Sequence, residues 1–284
     1  MAIIVGHRSY SRYSPADAAA RTMFVLAGAL RAVGTSKIVR ELPLVLFGYF
    51  AYFLVRGFTE GSHAQATSNA GKIVDLERSF GFFWEPAIQE RIVDQHWIVT
   101  LANWMYIWGH WPLIAAVAAW LIIRRPAAYS LFRNAFFISG AIGVVIFVLF
   151  PVAPPRLLAD IGLVDTVTEH SHAYRVLQPP AFVNQYAAVP SLHFGWDLLI
   201  GIALVWHARW LPARIFGAVV PVLMLSAIVL TANHYIFDAM AGGAVALTGL
   251  AGALALRTYG PRIAELASRR HRAPAQRAEA AQAA

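Results

Sequence analysis

Six long apolar runs constrain the fold of this chain more than any other feature of its sequence. A helix needs about 20 mostly apolar residues to cross the hydrocarbon core of a bilayer. The chain is 58% hydrophobic and 13% charged, which is too apolar for a soluble domain of this size. The sequence therefore predicts an all-α, polytopic membrane protein, a bundle of six transmembrane helices. The runs are residues 42–58, 97–123, 134–151, 191–206, 213–232 and 235–256.

The segments outside these runs have the composition of membrane-surface and tail sequences. Residues 18–33 carry charges at both ends and predict an interfacial helix. Residues 63–95 mix charges with Phe and Trp, which suits amphipathic helices at the headgroup level. Within them, the run from Asn69 to Gln89 either covers a site or shapes the lipid entrance, or it simply adheres to the membrane. The predicted organisation is a cytoplasmic segment 1–41, a six-helix catalytic domain 42–256 with extracytoplasmic segments 63–95 and 152–189, and a basic cytoplasmic tail 257–284 with a disordered end.

Basic residues indicate the orientation in the membrane. The net charge is +8, but the 23 Lys and Arg residues form short clusters between apolar runs, which favours a lipid bilayer over nucleic acid as the partner. Most of them fall on the side that carries both termini, and this places the termini in the cytoplasm by the positive-inside rule. The chain has no cysteine, so thiolate metal sites and disulfides are excluded.

The sequence "HYIFD" places an ionisable pair in the last apolar run. His234 and Asp238 are four residues apart and share one helix face. A carboxylate beside a histidine can fix its tautomer and leave the other ring nitrogen as a nucleophile or base. Ionisable groups inside membrane segments usually mark function. The alternative is a buried hydrogen-bonded pair that joins helices.

The sequence "VPSLHFGWD" predicts an anion-binding helix start. Pro190 suits the first turn, so the backbone N–H groups of Ser191, Leu192 and His193 are expected to be free to bind a phosphate. His193 could protonate a leaving oxygen. It also forms a second i,i+4 pair with Asp197, so the partner of each histidine stays open. The plain alternative is an ordinary helix cap.

The sequence "FPVAPPRLL" ends the third run with three prolines followed by Arg156. Proline stops the helix, and the rigid turn fixes the direction of the arginine. A guanidinium can grip phosphate oxygens in a bidentate manner. The alternative is an arginine that lies among lipid headgroups. With both termini inside, Arg156, His193 and His234 all fall at extracytoplasmic helix ends.

Together these motifs resemble the phosphatidic acid phosphatase type 2 superfamily, and most closely its branch of inositol phosphorylceramide synthases and bacterial relatives. "PSLH" at 190–193 is similar to the second family motif, and "HYIFD" at 234–238 carries the histidine and aspartate of the third. "PPR" at 154–156 stands in the place of the first. The resemblance covers roughly residues 130–256.

The resemblance implies a role for each matching residue. His234 attacks phosphorus and forms a phosphohistidine, and Asp238 orients it and stabilises its charge. His193 protonates the departing alcohol and then activates the water or alcohol acceptor. Ser191 and Arg156 bind phosphoryl oxygens. No metal or cofactor is implied, and the expected location is a bacterial plasma membrane.

Two departures from the family pattern concern expected phosphate-binding cations. Leu149 stands where the first motif has lysine, and Ala227-Ile228 stands where the third has Ser-Arg. Candidates to replace these cations are Arg175, Lys72, Arg78 and Arg133. Three further histidines, His110, His170 and His172, are predicted to be structural or loop histidines.

The sequence thus predicts a metal-independent membrane phosphoesterase or phosphotransferase that acts on a lipid phosphate. The lipid is a phospholipid, a sphingolipid-type or a polyprenyl phosphate, and its phosphate passes to water or its head group to an alcohol or lipid acceptor. One alternative is a transporter in which His–Asp pairs relay protons, although repeat symmetry is not evident in the sequence. A non-catalytic scaffold is the other.

Overall fold

A computed structural model describes residues 35–58, 61–170 and 184–282. The chain divides into two units, Met1–Val45 and Leu46–Ala284. The described part of the first unit, residues 35–45, is helical. The predicted interfacial helix at 18–33 lies outside the described residues.

The described part of the chain is almost entirely helical, which confirms the predicted all-α class. The exceptions include two short 3₁₀ helices, Pro155–Leu157 and Ala159–Ile161, and one isolated parallel bridge that joins Val152 to Ala187. In chain order the α-helices are α1 Thr35–Phe58, α2 His63–Phe80, α3 Glu85–Glu90, α4 His96–Trp108, α5 Trp111–Arg124, α6 Pro126–Leu149, α7 Thr166–His170, α8 Leu192–His207, α9 Leu211–Leu230 and α10 Ile236–Gln282.

Three described helices are long and apolar enough to cross a membrane: α6, α9 and the Ile236–Ile263 part of α10. The pair α4–α5 makes a fourth if it is counted as one bent span. Helix α8 has only 16 residues, or about 24 Å at 1.5 Å per residue, against a hydrocarbon core of about 30 Å. The several apolar helices indicate an integral membrane protein, and the count of six spans stays a prediction.

The second predicted span is broken rather than continuous. Helices α4 and α5 meet at an angle of 49° around Gly109 and His110. Pro112 stands in the first turn of α5, where it cannot donate a hydrogen bond back to the preceding helix. A Cβ at Gly109 would overlap the carbonyl oxygen of Met105, so the close turn requires glycine. The bend buries His110, whose exposure is 2%.

Helices α8 and α10 approach each other closely because glycines face each other at the contact. A Cβ at Gly195 or at Gly242 would overlap backbone of the other helix, at Gly242 and Ser191 respectively. Small residues permit this kind of backbone contact between membrane helices. The first turns of the two helices, which carry the two predicted histidine motifs, are therefore neighbours.

Helix α2 packs against the loops that carry the motifs. Its buried face includes Ile73 and Val74, which share a core cluster with Val152, Val189 and Tyr235. Those three residues belong to the segments before Arg156, Ser191 and Ile236 respectively. Whether segment 63–95 covers a site or adheres to the membrane stays a prediction. Phe80 and Trp84 are exposed.

The C-terminal tail continues the last helix. The segment expected to end in disorder continues α10 as helix to Gln282. Its last dozen residues are rich in Ala, Gln, Arg and Glu, which have high intrinsic helix propensity.

Candidate active site

Backbone hydrogen bonds join the three predicted motifs at one end of the helices. The N–H of Arg156 donates to the carbonyl oxygen of Ala232 over 2.9 Å, and the N–H of Ser191 donates to that of Asp238 over 2.9 Å. Ala232 lies in the turn between α9 and α10 at a φ of 52°, a left-handed conformation that is uncommon outside glycine. Such strain persists where the surroundings enforce it, often at functional sites.

The hydrogen bonds of His234 define its tautomer. Its Nδ1 lies 2.9 Å from the carbonyl oxygen of Ala188 and 3.2 Å from Oδ2 of Asp238. A carbonyl can only accept, so Nδ1 carries the proton and Nε2 holds the lone pair. Asp238 is fully buried and also accepts from the N–H of Tyr235 over 3.0 Å. The ring is thus fixed with a basic nitrogen available for nucleophilic attack.

The ring of His193 faces the same space as that of His234. His193 stands in the first turn of α8, and the two ring centroids are 5.9 Å apart with a 55° tilt. Both rings line a cavity of about 460 Å³. The structure therefore brings together two imidazoles that are 41 positions apart in the sequence. If a reacting atom lies between the two rings, one ring could attack it while the other protonates its leaving group.

Arg156 lies on the 3₁₀ helix that follows the three-proline turn and lines the same cavity. One terminal nitrogen of its guanidinium donates to Oδ1 of Asn233 over 2.7 Å. Its Nε lies 3.5 Å from Oδ2 of Asp165. These contacts hold a half-buried positive charge at the cavity wall, beside the two histidines.

The helix start at Ser191 differs in detail from the sequence expectation. Ser191 is the N-cap of α8, its Oγ accepts from the N–H of Phe194 over 3.4 Å, and Pro190 precedes the cap instead of standing in the first turn. The N–H of Ser191 is not free, because it donates to Asp238. Ser191 is fully buried, whereas Leu192 and His193 line the cavity. An anion at this helix start would therefore be bound by backbone N–H groups of the first turn of α8, after the cap.

Asp197 contacts a histidine that the sequence interpretation treated as structural. Its Oδ1 lies 2.8 Å from Nδ1 of His110. The two i,i+4 pairs therefore differ: Asp238 bonds to the histidine of its own motif, and Asp197 bonds to one from the bend between α4 and α5.

The candidates for the missing cations lie elsewhere. Lys72 is exposed and bonds to Asn69 over 3.1 Å, Arg78 stacks 5.0 Å from the ring centre of Phe83, and Arg133 bonds to the amide oxygen of Asn134. Of these three described residues none lines the cavity. Arg175 and His172 lie outside the described residues.

Two buried glutamates, missed by sequence reasoning, hold the start of α10. Oε1 of Glu85 accepts from the N–H of Ile236 over 2.8 Å, and Oε1 of Glu77 accepts from that of Phe237 over 2.7 Å. Both side chains have 0% exposure. Carboxyl oxygens at a helix N-terminus satisfy N–H groups that have no partner within the helix. The partners are 151 and 160 residues apart, so no local pattern indicated them.

The same burial changes the protonation of the glutamates. Desolvation raises the pKa of Glu77 to about 9, the hydrogen bond from Phe237 opposes this, and repulsion from Glu85 adds to it. Desolvation also raises the pKa of Glu85. Glu77 is therefore protonated near neutral pH and can donate a hydrogen bond to Glu85.

Polar and aromatic side chains share the wall of the cavity. This mixture suits an amphiphile with a polar head and an apolar part. In the part of the chain that the structure describes, no group of three or more His, Asp or Glu residues is placed to hold a metal ion. The aromatic members are Tyr52, Phe53, Tyr106, Trp111, Phe147 and Trp196, and the neutral polar members are Thr168, Asn184, Gln185 and Asn233.

The helical architecture places a carboxylate-oriented histidine, a second histidine and an arginine around one cavity, and the family match below indicates a phosphatase-type membrane enzyme. The family model of the PAP2 superfamily matches residues 71–252, well over half of the chain. The chain belongs to the PAP2 superfamily, and the predicted resemblance is confirmed at that level. No curated protein and no solved structure matches the chain.

Proposed function

We propose that this protein is a metal-independent membrane phosphoesterase or phosphotransferase that acts on a lipid phosphate through a phosphohistidine at His234. The observation that carries the proposal is the contact of Nδ1 of His234 with both Ala188 and Asp238. That contact leaves Nε2 as the nucleophile, on a ring that shares a cavity with His193 and Arg156. Phosphoryl transfer needs positioning and charge stabilisation more than further covalent groups.

In the first half-reaction Nε2 of His234 attacks phosphorus. The P–N bond forms as the P–O bond to the lipid alcohol breaks, and protonated His193 gives its proton to the departing oxygen. Arg156 stabilises the negative charge on the phosphoryl oxygens together with the first turn of α8. Asp238 stabilises the positive charge that develops on the ring of His234.

The second half-reaction reverses these roles. Neutral His193 takes a proton from water or from an alcohol, whose oxygen attacks the phosphorus of the phosphohistidine. The P–N bond breaks, His234 returns to its starting tautomer and His193 is protonated again. Hydrolysis and transfer differ only in the acceptor.

The lipid substrate is supported by the setting of the site. The cavity mixes polar and aromatic walls, and it is formed at the ends of helices of which several are long enough to cross a membrane. With both termini in the cytoplasm, as the basic residues predict, these ends face the extracytoplasmic side. The inositol phosphorylceramide synthase branch stays a prediction, and with it the choice of a lipid alcohol as acceptor.

The test is a product assay on purified protein in mixed micelles with excess chelator. A panel of lipid phosphates is incubated with and without alcohol acceptors, and the products are identified by mass spectrometry. We expect chelator-resistant turnover and an acid-labile phosphoenzyme that maps to His234. We also expect His234→Ala to lower kcat by at least about 10³-fold.

The matched control is His96→Ala, since His96 is an exposed histidine at the start of α4. Equal turnover by wild type and His234→Ala would refute the phosphohistidine. Turnover that stops with chelator would refute the metal-free mechanism. Proton-coupled flux without any product would favour the transporter alternative.

A further inference from the structure

The bend between α4 and α5 inserts a third histidine beside the two proposed catalytic rings. His110 is 2% exposed, and its ring centroid lies 4.5 Å from that of His193 with a 38° tilt. It also lines the cavity. The mechanism proposed above gives this buried, ionisable side chain no task.

His110 is held by contacts on several sides. Its Nδ1 lies 2.8 Å from Oδ1 of Asp197, and the indole of Trp196 is nearly parallel to its ring at 6.0 Å. Trp196 is itself fixed by a hydrogen bond of 3.1 Å from its Nε1 to Oγ of Ser139. These contacts restrict the rotamers of the His110 side chain, so its ring presents a fixed surface to the ring of His193.

Asp197 has 0% exposure, and within the described residues its Oδ2 has no hydrogen-bond partner. Burying a carboxylate costs much free energy unless it is paired. An apolar contact between the α4–α5 bend and α8 would join them without this cost in free energy. The arrangement is that of a histidine orientated by a carboxylate, as seen for His234 with Asp238, and it lies next to the second histidine of the site.

The ring of His193 lies against two aromatic neighbours. Tyr106 stacks on it at 4.7 Å with a 23° tilt, and His110 contacts it at 4.5 Å. A general acid must hold its proton within hydrogen-bond reach of the leaving oxygen, so the orientation of the His193 ring affects the rate of proton transfer. Both neighbours come from the broken span around residues 109–110.

We propose that His110 and Asp197 form a second His–Asp pair that positions the ring of His193 for proton transfer to the leaving alcohol. This inference rests on the proposed function and assigns a positioning role to two residues that the proposed mechanism does not use. The bend at Gly109 is then part of the catalytic apparatus, since it delivers His110 to the ring of His193.

The test compares substrates that differ in their need for an acid. His110→Ala should lower kcat by about 10- to 100-fold on a lipid phosphate, with KM within about 2-fold, because a small displacement of a catalytic group has this effect. On an aryl phosphate, whose phenolate departs without a proton, the loss should shrink to less than about 3-fold. Asp197→Asn keeps an acceptor oxygen for Nδ1 of His110 and should retain most of the activity that Asp197→Ala loses.

Two further variants keep the test decisive. The double variant His110→Ala/Asp197→Ala removes both buried partners, so it folds without an unpaired charge and should show the same substrate-dependent loss. His193→Ala run in parallel should give a larger loss with the same dependence on the leaving group, and the exposed His96→Ala should give none.

The outcomes separate the two proposals. Loss of equal size on both substrates, or wild-type kcat in a folded double variant, would overturn the role of His110 while leaving that of His193 standing. If His193→Ala itself shows no dependence on the leaving group, its role as the acid fails and this inference fails with it.

Discussion

The backbone N–H of Ser191 donates a 2.9 Å hydrogen bond to the carbonyl oxygen of Asp238. This bond joins the N-cap of α8 to the first turn of α10, directly beneath the two rings proposed to act on phosphorus. Gly242 lies one helical turn after Asp238 and leaves room for the contact. Main-chain geometry thus fixes the separation of the two helix starts that carry the imidazoles.

Asp238→Asn should lower kcat by about 10²- to 10⁴-fold with the fold retained. An amide can donate a hydrogen bond to Nδ1 of His234, and this favours the tautomer that has its proton on the attacking Nε2. The amide also lacks the charge that stabilises the imidazolium. The measurement is steady-state turnover of a lipid phosphate beside circular dichroism. Near-normal rates would mean that Ala188 alone fixes the tautomer.

Gly242→Ala should destabilise the protein and abolish activity. The added methyl group would overlap the carbonyl oxygen of Ser191 and push α8 away from α10. The measurement is the midpoint of thermal unfolding in detergent together with turnover.

The control for this substitution is Gly71→Ala on α2, where a Cβ meets nothing within 4 Å. Alanine is favoured over glycine in a helix by about 1 kcal/mol, so this variant should be as stable as wild type or more so. Equal behaviour of the two variants would show that the close helix contact is not required.

Stability should fall as the pH rises from about 4.5 to about 9. Glu77 has a pKa of about 9 in the folded protein, compared with an ordinary value of 4.5. Between these values the folded state binds the extra proton, so its stabilising effect is complete below pH 4.5 and is lost as the pH rises through 9. Glu77→Gln keeps an acceptor for the N–H of Phe237 and should flatten this dependence. Unfolding midpoints measured from pH 5 to 9 test it.

Asp75→Asn is the matched control, because Asp75 is an exposed acid on the same helix. It also replaces a carboxyl group of α2 by an amide and should leave the slope as in wild type. A slope that persists in Glu77→Gln would assign the titration to another group, with Glu85 the first to examine.

Arg156→Gln should raise KM for a lipid phosphate by about 10- to 100-fold and lower kcat as well. The amide retains a polar contact with Asn233 but loses the charge that the phosphoryl oxygens need. Kinetics as a function of substrate concentration in mixed micelles measure both constants. Arg91→Gln, at an exposed arginine, should leave them unchanged. An unchanged KM in Arg156→Gln would place phosphate binding on the first turn of α8 alone.

Local sequence patterns predicted much of the site. The i,i+4 spacing of His234 and Asp238 predicted a contact, and the structure has it at 3.2 Å. The prolines before Arg156 predicted a helix stop and a fixed arginine, and the charge pattern of 63–95 predicted amphipathic helices. These features depend on residues near each other in the chain, where backbone geometry alone decides the outcome.

The remaining parts depend on contacts between distant residues. Asp197 could have served His193, which is at the correct spacing, but the bend at Gly109 brings His110 to it instead. Glu77 and Glu85 looked like surface acids of an amphipathic segment, yet they are buried against the start of α10. Asn233, next to His234, was a polar residue in an apolar run and could have been noticed.

Glu77 and Glu85 have a mechanical consequence. They bond to the first two N–H groups of α10, which begins two residues after His234. The segment that carries α2 and α3 is therefore tied to the start of the helix that follows His234. A displacement of α2 or α3 would be transmitted to the start of α10 through these two carboxyl groups.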